Sequence, residues 1–256
     1  MSKYLFVDGG FLESLIPKAA KFYDRLISID EVKFDRIAGP FQRTFYYDAL
    51  PVPKPDQDQA GYEEILKRKQ NLFARINATP YMHTREGITR NRLASRARQQ
   101  KGVDILLAID VFKHASLRNM SEAHVMTTDL DFFPLFEALR DTPVSVHLHC
   151  FCDETSDELM ALADVVRPVT AYSVLQWVDH PDRDQFVRHH ASVDDFHKMA
   201  PVKLGFLGSP VEFFSDPTDP SKGYVARFAG TTIHSDRLEY IVADLEHRHQ
   251  KRMMFA

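Results

Sequence analysis

Only two cysteines, Cys150 and Cys152, occur in the 256 residues. That excludes a disulfide-stapled secreted scaffold. One intervening residue puts the pair too close for an easy bridge, so they read as buried thiols on a strand in a reducing compartment. Zinc held by Cys-x-Cys would need further ligands. Long apolar runs are missing too. Nothing approaches the ~18 residues that span a bilayer, and the apolar stretch in MSKYLFVDGG is too short for a signal peptide. The expectation is a soluble, cytoplasmic protein. Positive charge is not in excess: 32 Lys and Arg stand against 36 Asp and Glu, a formal net charge of −4. A chain that coats nucleic acid through bulk charge is basic, so any such contact here must be local. No Gly-x-Gly-x-x-Gly follows the first apolar run, which sets aside a dinucleotide enzyme. What is present is ordinary globular composition, 44% hydrophobic, 27% charged and 11% aromatic. It excludes a disordered chain, a collagen and a coiled coil.

The apolar pattern alternates strands with helices as far as about residue 170. Tyr4 to Val7 reads as a buried strand stopped by Asp8-Gly9-Gly10. Phe11 to Phe22 has helical spacing, with Pro17 predicting a break or kink. Thr44 to Tyr47 is a second strand, ending at Asp48. A Pro-rich polar loop, PVPKPDQDQ, and a polar helix over Tyr62 to Ile76 follow. Gly102 to His114 carries Val103, Leu106, Leu107, Ile109, Val111 and Phe112, which predicts a helix buried on most sides. His124 to Thr127 and Val144 to Cys152 are further strands. Phe132 to Arg140 is a helix that tolerates Pro134 in its first turn. Another helix starts at Thr155, with a capping box to Glu158 and a stripe of Leu159, Leu162 and Val166.

This alternation predicts an α/β fold: a three-layer α/β/α sandwich with a central, mainly parallel sheet. After Trp177 the pattern changes. HPDRDQFVRHHASVDDFHKMAP is polar and rich in His and Asp. Strands over Lys203 to Leu207 and Tyr224 to Phe228, then a helix from Ser235 to Arg252, predict a small C-terminal α+β appendage. The expected division is 1–175 and 176–256. There is no internal repeat.

The informative fact is where aspartates fall. Three predicted strands end in Asp8, Asp48 and Asp129, with Asp131 two residues further. In an open α/β sheet the carboxyl ends of the strands form the ligand crevice. Each aspartate alone is an ordinary turn former or helix cap. As a set they repel, and their clustering needs a cation or protons to neutralise it. Oxygen-only ligands select hard ions, Mg2+ or Mn2+. An ion so held can activate water and steady a phosphodiester during cleavage.

With these residues in place, the chain resembles the NYN (LabA-like) branch of the PIN-domain ribonucleases. The matching pieces are LFVDGGFLE at 5–13, TFYYDAL at 44–50, KGVDILLAIDVFKHA at 101–115, AHVMTTDLDFFPLFEALR at 123–140 and SDELMALADVVRPV at 156–169. The resemblance covers about 1–170 and implies a PIN-like sandwich, an acidic cleft for Mg2+ or Mn2+, and RNA cleavage. By that match Asp8, Asp104, Asp129 and Asp131 are the metal ligands and catalytic carboxylates. Asp110 also falls in the family pattern. Six residues along a helix add ~240° beyond one full turn, so Asp110 cannot share the face of Asp104 and would orient other groups. Asp48 is second to these four, at the cleft edge or in a turn. Two positions depart from the pattern. Phe11 stands where the family has Asn, and Thr127-Thr128-Asp129 replaces a small-residue-Gly-Asp turn. Neither change removes a carboxylate.

A basic run precedes the KGVD motif. REGITRNRLASRARQQK, residues 85–101, holds Arg85, Arg90, Arg92, Arg96, Arg98 and Lys101 against the single Glu86. Such a run is either a solvated helix face or, beside an acidic cleft, a track for the phosphates of RNA. Arg90, Arg92, Arg96, Arg98 and Lys101 are the candidate RNA contacts. His147 and His149 share a strand face and could bind zinc, but no third and fourth ligand is evident in the sequence.

The expected activity is a Mg2+- or Mn2+-dependent endoribonuclease that leaves 5′-phosphate and 3′-hydroxyl ends, in RNA processing or as a tRNA-targeting toxin or defence effector. Two alternatives stay open: an RNA-binding regulatory module with little turnover, and a DNA-acting nuclease. A phosphatase of the haloacid-dehalogenase type needs Asp-x-Asp where this chain has Asp8-Gly9-Gly10. Self-association or a protein partner through the appendage is a further expectation.

Overall fold

The computed structural model describes residues 2–53, 57–87, 96–179, 186–189 and 199–256. Its first strand, β1 (Lys3–Asp8), buries Leu5, Phe6 and Val7 completely or nearly so. A strand apolar on both faces belongs at the centre of a covered parallel sheet. β2 (Arg43–Asp48), β3 (Met82–Glu86), β4 (Glu122–Met126), β5 (Ser145–Cys150) and β6 (Val165–Pro168) complete it, every pair parallel. The order is β3-β2-β1-β4-β5-β6. The chain starts in the middle, builds outward to one edge, then crosses back to build the other half. β1 and β4 are the neighbours at which the direction reverses, and a crevice opens at their carboxyl ends.

Side chains alternate across this sheet. Leu5, Val7, Tyr46 and Met126 face a layer made of α1 (Gly9–Tyr23), α2 (Phe34–Ala38), α3 (Gln59–Ala78) and α7 (Ala171–Trp177). Phe6, Phe45, Tyr47, Val125 and Leu148 face the other layer, α4 (Arg96–Ser116), α5 (Phe133–Leu139) and α6 (Asp157–Leu162). The three-layer α/β/α sandwich is therefore present as expected.

Several local expectations change. Pro17 does not break α1, which runs unbroken across it. The ring sits on the exposed side, while Leu12, Leu15, Ile16 and Ala19 are buried beneath. Burial of that face offsets the hydrogen bond Pro removes, and the solvent side of a helix tolerates the curvature. α4 is not buried on most sides. Val103, Leu107, Val111 and Ala115 pack inward at spacings of four, while Ile105, Ile109 and Phe112 are 59%, 57% and 44% exposed. The cap of α6 is Ser156, which accepts from the Leu159 amide at 3.2 Å, not Thr155, whose hydroxyl donates to the Phe151 carbonyl. Both edge strands, β3 and β6, escape the sequence pattern. β3 is MHTRE with only Met82 buried, and β6 is four residues long. An edge strand needs little apolar alternation.

A second, antiparallel sheet follows. It comprises β7 (Arg188–His189), β8 (Ala200–Phe206), β9 (Pro210–Ser215), β10 (Tyr224–Phe228), β11 (Thr231–Ser235) and β12 (Met254–Phe255), in the order β12-β8-β9-β10-β11-β7. Ala229 and Gly230 both have positive φ, 47° and 79°, and close a two-residue hairpin between β10 and β11. α8 (Leu238–His249) packs on α7: Thr170 Oγ1 donates to the Ala243 carbonyl at 3.0 Å, and Ser173 Oγ meets His247 Nδ1 at 2.8 Å. One hydrophobic core runs from Leu5 and Leu15 through Trp177 to Phe213 and Ile241. Most of the polar His/Asp segment after Trp177 lies outside the described residues. Among the described residues, no helix is long and apolar enough to cross a membrane.

Candidate active site

Asp8 is both the last residue of β1 and the cap of α1. Its Oδ1 accepts from the Phe11 amide at 3.3 Å, and its Oδ2 accepts from Thr127 Oγ1 at 2.9 Å. The same Thr127 oxygen accepts from the Asp129 amide at 3.1 Å. Asp129 in turn caps a short 3-10 turn (Leu130–Phe132), accepting from the Asp131 amide at 2.9 Å. Thr127 thus ties together the carboxyl ends of β1 and β4, the two strands that flank the crevice. α4 brings Asp104 to the same mouth from the helical layer. Burial first, then the negative charges of Asp8, Asp129 and Asp131, push the Asp104 carboxyl up to about 6. Asp8 is also raised, by burial and secondarily by Asp129, against the hydrogen bonds from Thr127, Phe11 and Gly10.

Four carboxylates from three separate elements therefore feel one another. Among the described residues, no Lys or Arg forms an ion pair with any of them. The close entry of α1 requires glycine. A Cβ on Gly9 would stand 2.7 Å from the Tyr46 ring and the Tyr47 carbonyl and 2.8 Å from Asp48 Oδ2.

Two other predicted aspartates are each paired with a cation. Asp48 Oδ2 accepts from Lys69 Nζ at 2.6 Å and Oδ1 from the Ala49 amide at 2.7 Å, while Lys69 also pairs with Glu13. Burial alone would lower the Lys69 pKa, but the charges of Asp48 and Glu13 outweigh it and hold the ammonium charged. Asp110 is not among the charges that raise Asp104. Its Oδ2 accepts from the Tyr47 hydroxyl at 3.0 Å and pairs with Arg85 Nε at 3.3 Å. That ion pair also occupies Arg85. Phe11 is 6% exposed and belongs to the core, so at the position of the family Asn only the backbone amide serves Asp8. Of the candidate RNA contacts, Arg90 and Arg92 lie outside the described residues, as do the side chains of Arg96, Arg98 and Lys101.

A second cluster of metal-ligating type lies toward the amino ends of β4 and β5. Glu122 Oε2 stands 3.0 Å from His124 Nε2 and 3.8 Å from His147 Nε2, and this trio could chelate a divalent ion. His149 lies behind it, Nε2 to His124 Nδ1 at 2.9 Å. All three rings are held neutral. Burial is the largest cause in each, with His124 lowered to about 4 and His149 held well below the usual imidazole range. The sequence singled out His147 and His149 but missed Glu122 and His124. The parallel register Glu122↔Ser145, His124↔His147 is what joins them. Cys150 and Cys152 are free and buried, their sulfurs 4.0 Å apart.

The family model for the NYN domain matches residues 5–170. The chain belongs to the NYN domain family. The match spans β1 to the end of β6, and so includes both strands at the crevice and all four converging aspartates. A comparison with curated proteins returns no match. Among solved structures, the chain is similar to a protein of unknown function from Vibrio parahaemolyticus, with 14% identity and a TM-score of 0.39, covering 66% of this chain and 93% of that one.

Proposed function

We propose that the acidic mouth is the catalytic centre of a metal-dependent endoribonuclease. The observation that carries this reading is the convergence of Asp8, Asp104, Asp129 and Asp131, with Asp104 raised to about 6 by burial and its acidic neighbours. Holding like charges together is unfavourable unless a cation or proton joins them. The donor set is oxygen only, which fits Mg2+ or Mn2+. Bound by these four residues, such an ion supplies an activated water and charge stabilisation for a phosphodiester.

The chain's own part is positioning. Thr127 locks the orientation of Asp8 and supports the Asp129 backbone, and the short turn after Asp129 holds its carboxylate. Gly9 and Phe11 let α1 start directly beneath the site. The RNA backbone would be drawn in by Arg90, Arg92, Arg96, Arg98 and Lys101, which precede Asp104 in the chain, the last three within the first turns of α4. Hydrolysis by water would leave 5′-phosphate and 3′-hydroxyl ends, with tRNA among the candidate substrates.

The test is incubation of purified protein with labelled total RNA, a tRNA pool and DNA of matched length. Arms contain Mn2+, EDTA, or the Asp129→Asn variant. RNA cleavage that needs Mn2+ and disappears in the variant supports the reading. RNA binding without cleavage would instead indicate a regulatory module, and preferential cutting of DNA a DNA-acting nuclease.

A further inference from the structure

We propose that Glu122, His124 and His147 form a second metal site, selective for a zinc-type ion and separate from the acidic mouth. The three candidate ligand atoms, one per residue, all lie within 4.8 Å of one another. Ligand atoms about 2.0–2.1 Å from a tetrahedral ion sit roughly 3.3–3.4 Å apart. The observed separations of 3.0 and 3.8 Å from Glu122 Oε2 bracket that value. The side chains are 14%, 4% and 8% exposed for Glu122, His124 and His147, so the site is shielded but reachable from the Glu122 side.

The donor chemistry differs from that of the mouth. Two imidazoles and one carboxylate suit a borderline transition ion, whereas oxygen-only clusters suit Mg2+. The surroundings also orient the rings. His149 Nε2 backs His124 Nδ1 at 2.9 Å, the kind of contact that fixes the tautomer of a metal-binding histidine. The His124 and His147 rings stack with centroids 4.2 Å apart, and Phe41 packs edge-on against His124. Ser145 Oγ stands 3.2 Å from His147 Nε2, a contact that nitrogen must give up to hold an ion. The site is also distant from the mouth. Glu122 pairs in register with Lys3 at the opposite end of β1 from Asp8, five residues or about 16 Å along the strand.

Two cations guard the site without the ion. Lys3 Nζ is 3.1 Å from Glu122 Oε2, and Arg167 Nε donates to His147 Nδ1 at 3.1 Å. A neutral imidazole that binds metal through Nε2 carries its proton on Nδ1. Arg167 must therefore give up its contact as the ion enters, and Lys3 must release Glu122. Both compete with the ion. Bound, it would tie the amino ends of β4 and β5 together through side chains as well as backbone.

The experiment strips the full-length chain of metal and titrates it with Zn2+ against a chromophoric chelator, then with Co2+ while visible d–d absorption is recorded. Wild type and Asp129→Asn are expected to bind one equivalent with equal affinity, in the presence of excess Mg2+. Glu122→Gln and His147→Gln should each bind at least about tenfold more weakly, and His149→Phe about 10- to 100-fold more weakly as an outer partner is lost. Arg167→Gln should bind more tightly. Absence of binding in wild type overturns the proposal. So does equal binding in Glu122→Gln, or loss in Asp129→Asn with retention in Glu122→Gln. Should the ligand variants fail to fold, imidazole NMR of the wild type decides: Zn2+ must shift the His124 and His147 resonances, and unchanged resonances overturn the assignment.

Discussion

At the carboxyl ends of β1 and β4, four carboxylates face one another, and among the described residues no Lys or Arg pairs with them. Toward the amino ends of β4 and β5, two imidazoles share a single carboxylate that Lys3 also contacts, and a third, His149, backs one of them. Both groups of residues are packed against the same sheet, yet their electrostatics are opposite. In the mouth, burial and like charge raise Asp104 and Asp8, so the charged forms are under stress. In the histidine cluster, burial lowers His124, His147 and His149, so the uncharged forms prevail, and each ring has hydrogen-bond partners within the network. The lesson is that a stressed constellation and a relaxed one can flank the same strand. Stress at the mouth accords with a ligand that supplies positive charge. The cluster is already satisfied, and an ion there must displace existing partners.

The largest effect is expected at Phe11. Restoring the family asparagine, Phe11→Asn, should extend the polar mouth if that side chain reached it. Because Phe11 is buried in the core, the change is expected to cost about 3–5 kcal/mol, read from urea unfolding, with no gain in cleavage. Next in size, Asp129→Asn should lower Mn2+-dependent RNA cleavage about 100-fold or more, measured as initial rates. Retention of full activity would remove Asp129 from the proposed centre. Thr127→Val keeps the shape but deletes the bridge between Asp8 and the Asp129 amide. A loss of about tenfold is expected, corresponding to one charge-assisted hydrogen bond of ~1.5 kcal/mol. Its acid limb should move to higher pH, since Asp8 loses a contact that lowers its pKa.

Smaller effects separate the two regions by pH. In the metal-free protein, Asp104 titrates near 6 when folded against 3.8 for an ordinary aspartate. Its ionised form is thus a burden that is full above 6 and fades as the pH falls through 6 toward 3.8. Asp104→Asn should stabilise the metal-free fold at pH 7 by about 1 kcal/mol, allowing for solvent screening of a half-exposed group, and this advantage should vanish by pH 4. The histidines have the reverse sign. His124 takes a proton near 4 when folded but at 6.5 in an unfolded chain, so its stabilisation is full above 6.5 and is lost as the pH falls toward 4. The urea midpoint of His149→Phe should decline less steeply than that of wild type between pH 6.5 and 4, because one neutral buried ring no longer titrates. An equal slope would show that the cluster does not govern acid stability.

Asp8 and Asp129 were readable from the sequence because each follows a short apolar strand and opens a turn, a signal confined to a few residues. Asp104 was different. Nothing local marks a helical aspartate as belonging to a strand-end mouth, and only the family motif pointed to it. Thr127 was missed because a threonine after a strand looks like any turn residue. Its role depends on β1 and β4 being neighbours although well over a hundred residues separate them. Glu122 and His124 were missed for the same reason, since parallel register joins them to His147. The exposed face of α4 was misjudged because apolar residues on several sides of a helix ordinarily mean burial on several sides.

The alternation of strands and helices, the aspartates at strand ends and the change of pattern after Trp177 were legible in the order of residues. These depend on periodicity and turn chemistry, which act over a few residues. Only the tertiary fold set which strands became neighbours, hence that Thr127 bridges Asp8 and Asp129, that Asp48 and Asp110 are neutralised by Lys69 and Arg85, and that His124 and His147 meet Glu122. Burial and Coulomb forces act through space, so the charge state of each group was set by neighbours that the chain order does not reveal.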